Sequence, residues 1–330
     1  MRTEIIVHPR FDQIWPFAAD HVLSLLSPFC EVALTRLSDR EPVSSVIDSP
    51  AHVRRLLSLG SPINGADLDV LSALEEAFVT DGYQEDGAST LLESRGVRQL
   101  SHPSEGFWGQ SVSEFALGLT IGALRRIPQT HRSMITSHDA WNYPQEQFGD
   151  DPRFTNGTVH GKRIRIVGAG NIASRFASFT HALGADVAAW DPFASEPAFH
   201  RSGSRREWHL DALVKDAEIF VPMVPLMPST EGLITADHIR ALPHGCLVVL
   251  ATRANICDMT ELRRRVLANE LSLAADVFDT EPLPLDDALL GKPNVVHTPH
   301  NAGRTKESNE SWARLLVVQF AEYVAPPAIP

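Results

Sequence analysis

The sequence predicts an α/β fold of two Rossmann-like domains. Three observations carry this. The tract Lys162 to Asp191, KRIRIVGAGNIASRFASFTHALGADVAAWD, reads as strand, glycine turn, helix, strand and acid in succession. Beyond it four more apolar runs recur, each leading into a polar cluster, as parallel strands alternating with helices do. The 330 residues suffice for two domains, and the first hundred or so show α/β texture without a glycine fingerprint.

In chain order, Glu4 to Val7 and Val32 to Thr35 read as strands, while Val53, Leu56 and Leu57, then Leu68 to Leu74, read as apolar helical patterns. The apolar Ala77 to Val79 leads into a polar turn from Thr80 to Gly87. VSEFALGLTIGALRRI, Val112 to Ile127, fits a long buried helix ended by Pro128, able to join two domains or to pack within one. Tyr143 to Thr158, rich in Pro, Gly, Asp and Gln, reads as an irregular arm. Arg163 to Val167 is then the strand feeding Gly168-Ala169-Gly170-Asn171-Ile172-Ala173, a GxGxxA loop. Gly168 permits the tight turn, Gly170 lets backbone approach a pyrophosphate, and Ala173 is small enough for close helix–strand packing. Ile172, Phe176, Phe179 and Leu183 recur at helical spacing and Gly184 closes that helix, whose N-terminus faces the phosphates. Val187 to Trp190 ends on Asp191, 21 residues after Gly170. A carboxylate there accepts hydrogen bonds from ribose hydroxyls and repels a 2′-phosphate, so the cofactor reading is NAD.

The net charge of −12 argues against nucleic acid or an anionic membrane surface as a partner. Cys30, Cys246 and Cys257 form neither a disulfide framework nor a zinc spacing, which favours a cytoplasmic setting. No apolar run reaches membrane-span length, and MRTEIIVHPR lacks a signal core. Glu261 to Val266, ELRRRV, reads as a solvated helix face, and Arg201, Arg205 and Arg206 as exposed loop.

The residues at the later strand ends carry the chemistry. Ala217 to Val221 leads into MVPLMPST. Cys246 to Leu250 leads into Ala251-Thr252-Arg253, with a capping box expected at Asp258-x-x-Glu261. Leu273 to Phe278 leads into Asp279-Thr280-Glu281, and Val295 to Thr298 into Pro299-His300-Asn301-Ala302-Gly303. Strands of a parallel sheet share one direction, so Arg253, Glu281 and His300 should gather on one edge near the cofactor. A guanidinium can hold the carboxylate and carbonyl oxygen of a 2-oxo acid. An imidazolium can protonate that oxygen as hydride arrives, and a carboxylate behind it fixes its orientation and favours its charged form.

From about Leu74 onward the chain resembles the D-isomer-specific 2-hydroxyacid dehydrogenase family, matching in order SVSEFALGL, VGAGNIA, PLMPSTEGLI, ATRANICD, AADVFDTEPLP and TPHNAG. The resemblance implies an NAD-binding domain, residues 126–303, inserted into a flavodoxin-like substrate domain, residues 1–125 and 304–330, with a last helix from Lys306 to Tyr323 returning to the first domain. It implies Arg253, Glu281 and His300 as the catalytic set and Asp276 near the nicotinamide carboxamide. Asn171, Ile172, Val224, Thr230, Ala251, Thr252 and Gly303 would line the cofactor beside Gly168, Gly170 and Asp191. Asp81, Gly82 and Tyr83 would offer backbone to a substrate carboxylate. It also implies a homodimer joined through the nucleotide domain and its arm. The chain departs from the family at Ala173, at Met223 and Val224, at Ala254, and in a substrate loop poor in glycine with Tyr83. Segment Ser104 to Gln110, with Phe107 and Trp108, is longer than usual, and Tyr83, Phe107 and Trp108 either shape the substrate pocket or simply pack.

The expected function is therefore NAD-dependent interconversion of a small 2-oxo acid and a D-2-hydroxy acid, of the hydroxypyruvate or glyoxylate reductase or phosphoglycerate dehydrogenase kind. Its rivals are an NAD(H)-sensing, corepressor-like binding protein of the same fold and, among enzymes, a formate- or phosphite-oxidising relative.

Overall fold

The structure is a computed structural model and describes residues 2–38, 41–80, 88–102, 106–138, 141 and 151–320. Its strands are β1 (Thr3–Val7), β2 (Val32–Arg36), β3 (Arg55–Leu59), β4 (Glu76–Thr80), β5 (Arg98–Gln99), β6 (Arg163–Val167), β7 (Asp186–Trp190), β8 (Arg205–Arg206), β9 (Ile219–Pro222), β10 (Leu247–Leu250), β11 (Ser272–Ala275) and β12 (Val295–His297). Among the described residues the α-helices are α1 (Pro9–Ile14), α2 (Ala18–Leu26), α3 (Gly65–Val70), α4 (Ser89–Ser94), α5 (Gly109–Leu124), α6 (Ile127–Thr136), α7 (Asn171–Ala182), α8 (Glu196–Arg201), α9 (Leu210–Lys215), α10 (Ala236–Ala241), α11 (Met259–Leu267) and α12 (Lys306–Val317).

The chain divides into two compact units, Met1–Phe107 with Arg304–Pro330, and Trp108–Gly303. The first holds a parallel sheet in the order β2-β1-β3-β4-β5, the flavodoxin-like order. The run at Val53, Leu56 and Leu57, expected to be helical, is instead part of β3 and its approach. Every residue of Arg55–Leu59, Arg55 and Ser58 included, is buried between β1 and β4, and a short strand buried on both faces shows no period that tells it from a helix. Leu68 does sit on a helix, α3, which stops at Val70; Leu71 and Leu74 are buried in the turn beyond. Helix α12 packs on α2 and sends Trp312 among Phe11, Trp15, Phe78 and His102, with ring centroids 4.7–6.0 Å from the indole. Phe107 joins that cluster against Trp15 and His102, so it is core rather than pocket lining.

The second unit holds seven parallel strands in the order β12-β11-β10-β9-β6-β7-β8. Counted from the fingerprint strand this is 7-6-5-4-1-2-3, the doubly wound nucleotide-binding order with a seventh strand added. Both faces are buried, as an all-parallel sheet requires. Phe220, Val248 and Leu273 pack toward α9, α10 and α11, while their neighbours Val221, Val249 and Ala274 pack toward α5 and α7. β8 consists of Arg205 and Arg206, a correction to the exposed loop expected there.

Several local expectations are corrected. The long buried helix lies in the second unit and ends at Leu124, so the units meet at 107/108 rather than 125/126: α5 packs on α7 and against β10, β11 and β12. Pro128 does not end it. Pro128 stands in the first turn of α6, where its missing N–H costs nothing, and the break is made by Arg126 at φ 50°. The capping box at α11 is only half formed. Asp258 accepts from Glu261 N at 2.9 Å, but Asp258 N donates to Ile234 O and the Glu261 carboxylate pairs with Arg264. The ELRRRV stretch is not a solvated face, since Glu261 and Arg265 are buried and Arg265 donates to Ile239 O and Leu242 O. α12 ends at Val317; Tyr323 lies outside the described residues, as do the first half of the arm, residues 143–150, and the substrate-loop positions Asp81, Gly82 and Tyr83.

Candidate active site

The site is assembled by strand direction. Parallel pairing brings the residues after β6, β7, β9, β10, β11 and β12 to one edge of the second sheet, so Gly168, Asp191, Val224, Arg253, Asp276 and His300 follow strand ends that face the same way.

At the end of β6 the turn is made by Gly168, at φ 109°. A Cβ there would stand 2.9 Å from Met223 O and 3.1 Å from the Val224 side chain, so glycine is required both for the backbone angle and for this close approach. Gly170 is the N-cap of α7 in an extended conformation, no side chain caps the helix, and no atom comes within 4 Å of where its Cβ would be. The first N–H groups of α7, from Asn171 and Ile172 onward, thus have no side-chain cap, and an uncapped helix start beside an open glycine is what a dinucleotide pyrophosphate needs. Ala173 is buried against the sheet. At the end of β7, Asp191 binds backbone on both oxygens: Ala169 N donates to one at 2.8 Å, and Phe193 N and Ala194 N to the other at 2.9 and 3.0 Å. The acid therefore pins the glycine loop to its own turn, leaving its remaining lone pairs for ribose hydroxyls.

Val224 lies beside Gly168, its side chain 3.1 Å from where a Cβ on that glycine would be. Thr230 is used internally: its hydroxyl donates to Pro225 O at 2.5 Å and accepts from Met227 N at 2.8 Å, closing the loop after β9. Ala251 and Thr252 are buried at the end of β10, where the Thr252 hydroxyl donates to Pro222 O. Arg253 is exposed; one Nη donates to Thr252 O at 2.7 Å, and among the described residues no carboxylate pairs with its guanidinium.

The pairing of His300 with Glu281 is the sharpest feature. His300 Nδ1 lies 2.6 Å from Glu281 Oε2, and the other carboxylate oxygen accepts from Phe278 N at 2.8 Å. An ionised carboxylate can only accept, so Nδ1 carries a hydrogen and Nε2 is left to exchange a proton. His300 itself is held at φ 53°, the left-handed region that a residue with a Cβ enters only when its surroundings insist.

Asp276 supplies that insistence. It is fully buried, and it accepts from Thr298 Oγ1 at 2.6 Å, Asn301 N at 3.0 Å and Ala302 N at 2.8 Å, a grip on both sides of His300. Its carboxylate thus organises the loop that carries His300. A second grip comes from α5, where Ser111 Oγ donates to Ala302 O at 2.5 Å, and Trp108 lies where a Cβ on Gly303 would meet it at 3.0 Å. Phe278 N, Thr298 and Ser111 were not singled out from sequence. The only available signal was that Ser111 opens SVSEFALGL and Thr298 opens TPHNAG, tracts the resemblance had already marked.

Comparison with known proteins agrees with this geometry. Residues 117–302, more than half the chain, match the family model described as D-isomer specific 2-hydroxyacid dehydrogenase, NAD binding domain. D-3-phosphoglycerate dehydrogenase of Methanocaldococcus jannaschii is 28% identical over 211 residues, 64% of this chain but 38% of that protein, so the chain spans less than half the length of that relative. Hydroxypyruvate reductase of Blautia hydrogenotrophica is 26% identical over 245 residues, 74% of this chain and 73% of that one. Among solved structures, the NAD complexed form of the D-isomer specific 2-hydroxyacid dehydrogenase of Lactobacillus delbrueckii ssp. bulgaricus is 18% identical and shares the fold with a TM-score of 0.75 over 97% of this chain and 96% of that one. A glycine loop, two sheet orders and a family model spanning residues 117–302 converge, and the chain belongs to the D-isomer specific 2-hydroxyacid dehydrogenase family.

Proposed function

We propose that the chain is an NAD-dependent oxidoreductase that interconverts a small 2-oxo acid and a D-2-hydroxy acid. The observation that carries this is the His300–Glu281 pair on the sheet edge that also bears the glycine loop and Arg253, whose guanidinium has no carboxylate partner among the described residues. The cofactor, when bound, supplies or receives a hydride at the substrate carbon. The rest falls to the chain's own side chains. Arg253 binds the substrate carboxylate and draws charge from the neighbouring oxygen. His300 Nε2 delivers a proton to that oxygen during reduction and takes it back during oxidation. Glu281 accepts from Nδ1–H throughout, fixing the ring, and Asp276 fixes the backbone beneath it. Gly168, Gly170, Asn171, Ile172, Asp191, Val224, Ala251, Thr252 and Gly303 form the cofactor's walls in this reading; Thr230 supports them by closing its loop. Asp81 to Tyr83 stay the expected anchor for the substrate carboxylate.

The test is loss of NADH absorbance with glyoxylate, hydroxypyruvate, pyruvate, phenylpyruvate and 3-phosphohydroxypyruvate in turn, with NADPH in parallel. Turnover of one of them with NADH preferred supports the reading. Tight NADH binding without turnover of any overturns the reaction and moves the assignment to a sensor.

Two finer points belong here. A homodimer is supported by α6, which buries none of its residues and exposes Ile127, Met134 and Ile135; sedimentation giving a monomer mass would count against it. A cytoplasmic setting is supported by three free cysteines, of which burial pushes Cys257 up to about 12 and Cys246 up as well. Among the described residues no helix is long and apolar enough to cross a membrane.

A further inference from the structure

We propose that Arg175 is a further cofactor-binding residue, the cation that meets the pyrophosphate of the dinucleotide at the start of α7. The proposal rests on the dinucleotide reading above and adds a residue to that site.

Asn171 and Arg175 stand four apart on α7 and share one face. Side chains on a helix lean toward its N-terminus, so the long Arg175 side chain runs back toward the glycine loop. Its Nε donates to Asn171 Oδ1 at 3.1 Å and one Nη to Gln110 Oε1 at 3.1 Å. Both partners are neutral amides. Among the described residues no carboxylate comes within ion-pair distance of Arg175, although the second unit pairs most of its other arginines with acids. Gly109, in the first turn of α5, makes room for this arrangement, since a Cβ there would stand 2.5 Å from Asn171 Nδ2 and 2.9 Å from Arg175 Nε.

The electrostatics point the same way. The start of a helix carries partial positive charge and favours acids, yet the first turn of α7 has none, and the Arg175 guanidinium stands one turn further along the same helix. Two positive ends placed together are unfavourable for the isolated protein. A pyrophosphate, with two negative charges, reverses that sign. A guanidinium also presents paired N–H donors that match two phosphate oxygens. Nothing in the fingerprint itself reveals this residue, because the pattern stops at Ala173.

The test measures binding rather than turnover. ADP-ribose and adenosine are titrated into the wild-type protein and into Arg175→Gln and Arg175→Lys at low and high salt. The expected result is about a tenfold weaker affinity for ADP-ribose in Arg175→Gln, at unchanged adenosine affinity, with partial recovery in Arg175→Lys and a shallower salt dependence in the glutamine variant. Arg175 is exposed, so its substitution leaves the melting temperature in place. An unchanged ADP-ribose affinity, or an equal loss for adenosine, overturns the role of Arg175 alone. Wild-type protein that binds neither NADH nor ADP-ribose overturns the dinucleotide reading and this proposal together.

Discussion

The turn from Gly168 to Gly170 is built of residues with little or no side chain, whereas the turn from Thr298 to Gly303 is held in place by side chains from elsewhere. Both follow strands of one sheet and open on the same edge. The first presents backbone to a ligand, so its residues must get out of the way: Gly168 at φ 109° against Met223, Gly170 in open space, α7 uncapped. The second must present one side chain, His300, at a fixed angle. It does so with a left-handed backbone clamped by Asp276 and Ser111 and a ring clamped by Glu281. Binding surfaces can be made by subtraction, but a proton donor has to be braced.

The largest test of this contrast is His300→Gln. Turnover should fall by roughly a thousandfold, as expected for loss of an acid/base group, while NADH affinity stays within about twofold. A variant that kept its turnover would remove the reason for the bracing. Next comes Asp276→Asn, which replaces an acceptor of three hydrogen bonds by an amide with one oxygen. It should lower kcat by about tenfold to a hundredfold and cost about 2 kcal/mol in denaturant unfolding, because buried N–H groups lose their partner. NADH affinity falling with no change in kcat would instead put Asp276 on the cofactor. Gly168→Ala tests the opposite loop. A Cβ 2.9 Å from Met223 O, on a backbone at φ 109°, should raise the KM for NADH about tenfold and leave kcat within a few-fold. If both loops answered in kcat alone, the division of labour between them would be gone.

The smallest effect comes from the far edge of the sheet and serves as a reference. Asp216 lies before β9, and the hydrogen bond from the buried Arg165 guanidinium holds its carboxyl below the usual carboxylate range. A depressed carboxyl adds stability above its ordinary titration range, and that stability is lost as pH falls through the folded value. The melting temperature of wild type should therefore drop more steeply below about pH 4 than that of Asp216→Asn, with no change in kcat for either at neutral pH. An identical acid profile in the variant would show that Asp216 is not an acid-sensitive contact.

The two loops also differ in how well they could be read in advance. Glycines at fixed spacing after an apolar strand state their purpose, because only glycine fits the turn at Gly168 and Gly170 keeps side-chain bulk away from a ligand, and the strand-end positions of Arg253, Glu281 and His300 follow from parallel direction alone. The bracing could not be read. Asp276 meets Asn301 and Ala302 only after the fold has brought β11 beside β12, and the hydroxyl of Ser111 reaches Ala302 across 191 residues of sequence. Asp191 reads as a ribose acceptor but also turns out to hold Ala169, a second task with no sequence mark. At the level of elements, Arg55–Leu59 was misjudged because a strand buried on both faces has no period, and Arg205–Arg206 because two arginines look like surface until Arg206 stacks over Trp208. The boundary between the units was placed one helix too late. Nothing in VSEFALGLTIGALRRI tells which sheet its apolar face will cover.

The path of the chain sets an order of events during synthesis. Residues 108–303 leave the ribosome as a closed set of strands and helices, and domains generally fold as units while they emerge. The first unit has by then all five of its strands but lacks α12. Until Trp312 arrives, Phe11, Trp15, Phe78 and His102 surround a place that only the last helix fills. The part translated first is thus finished last, and a chain truncated near residue 303 would carry one complete unit and one with its aromatic face uncovered, a natural client for a chaperone.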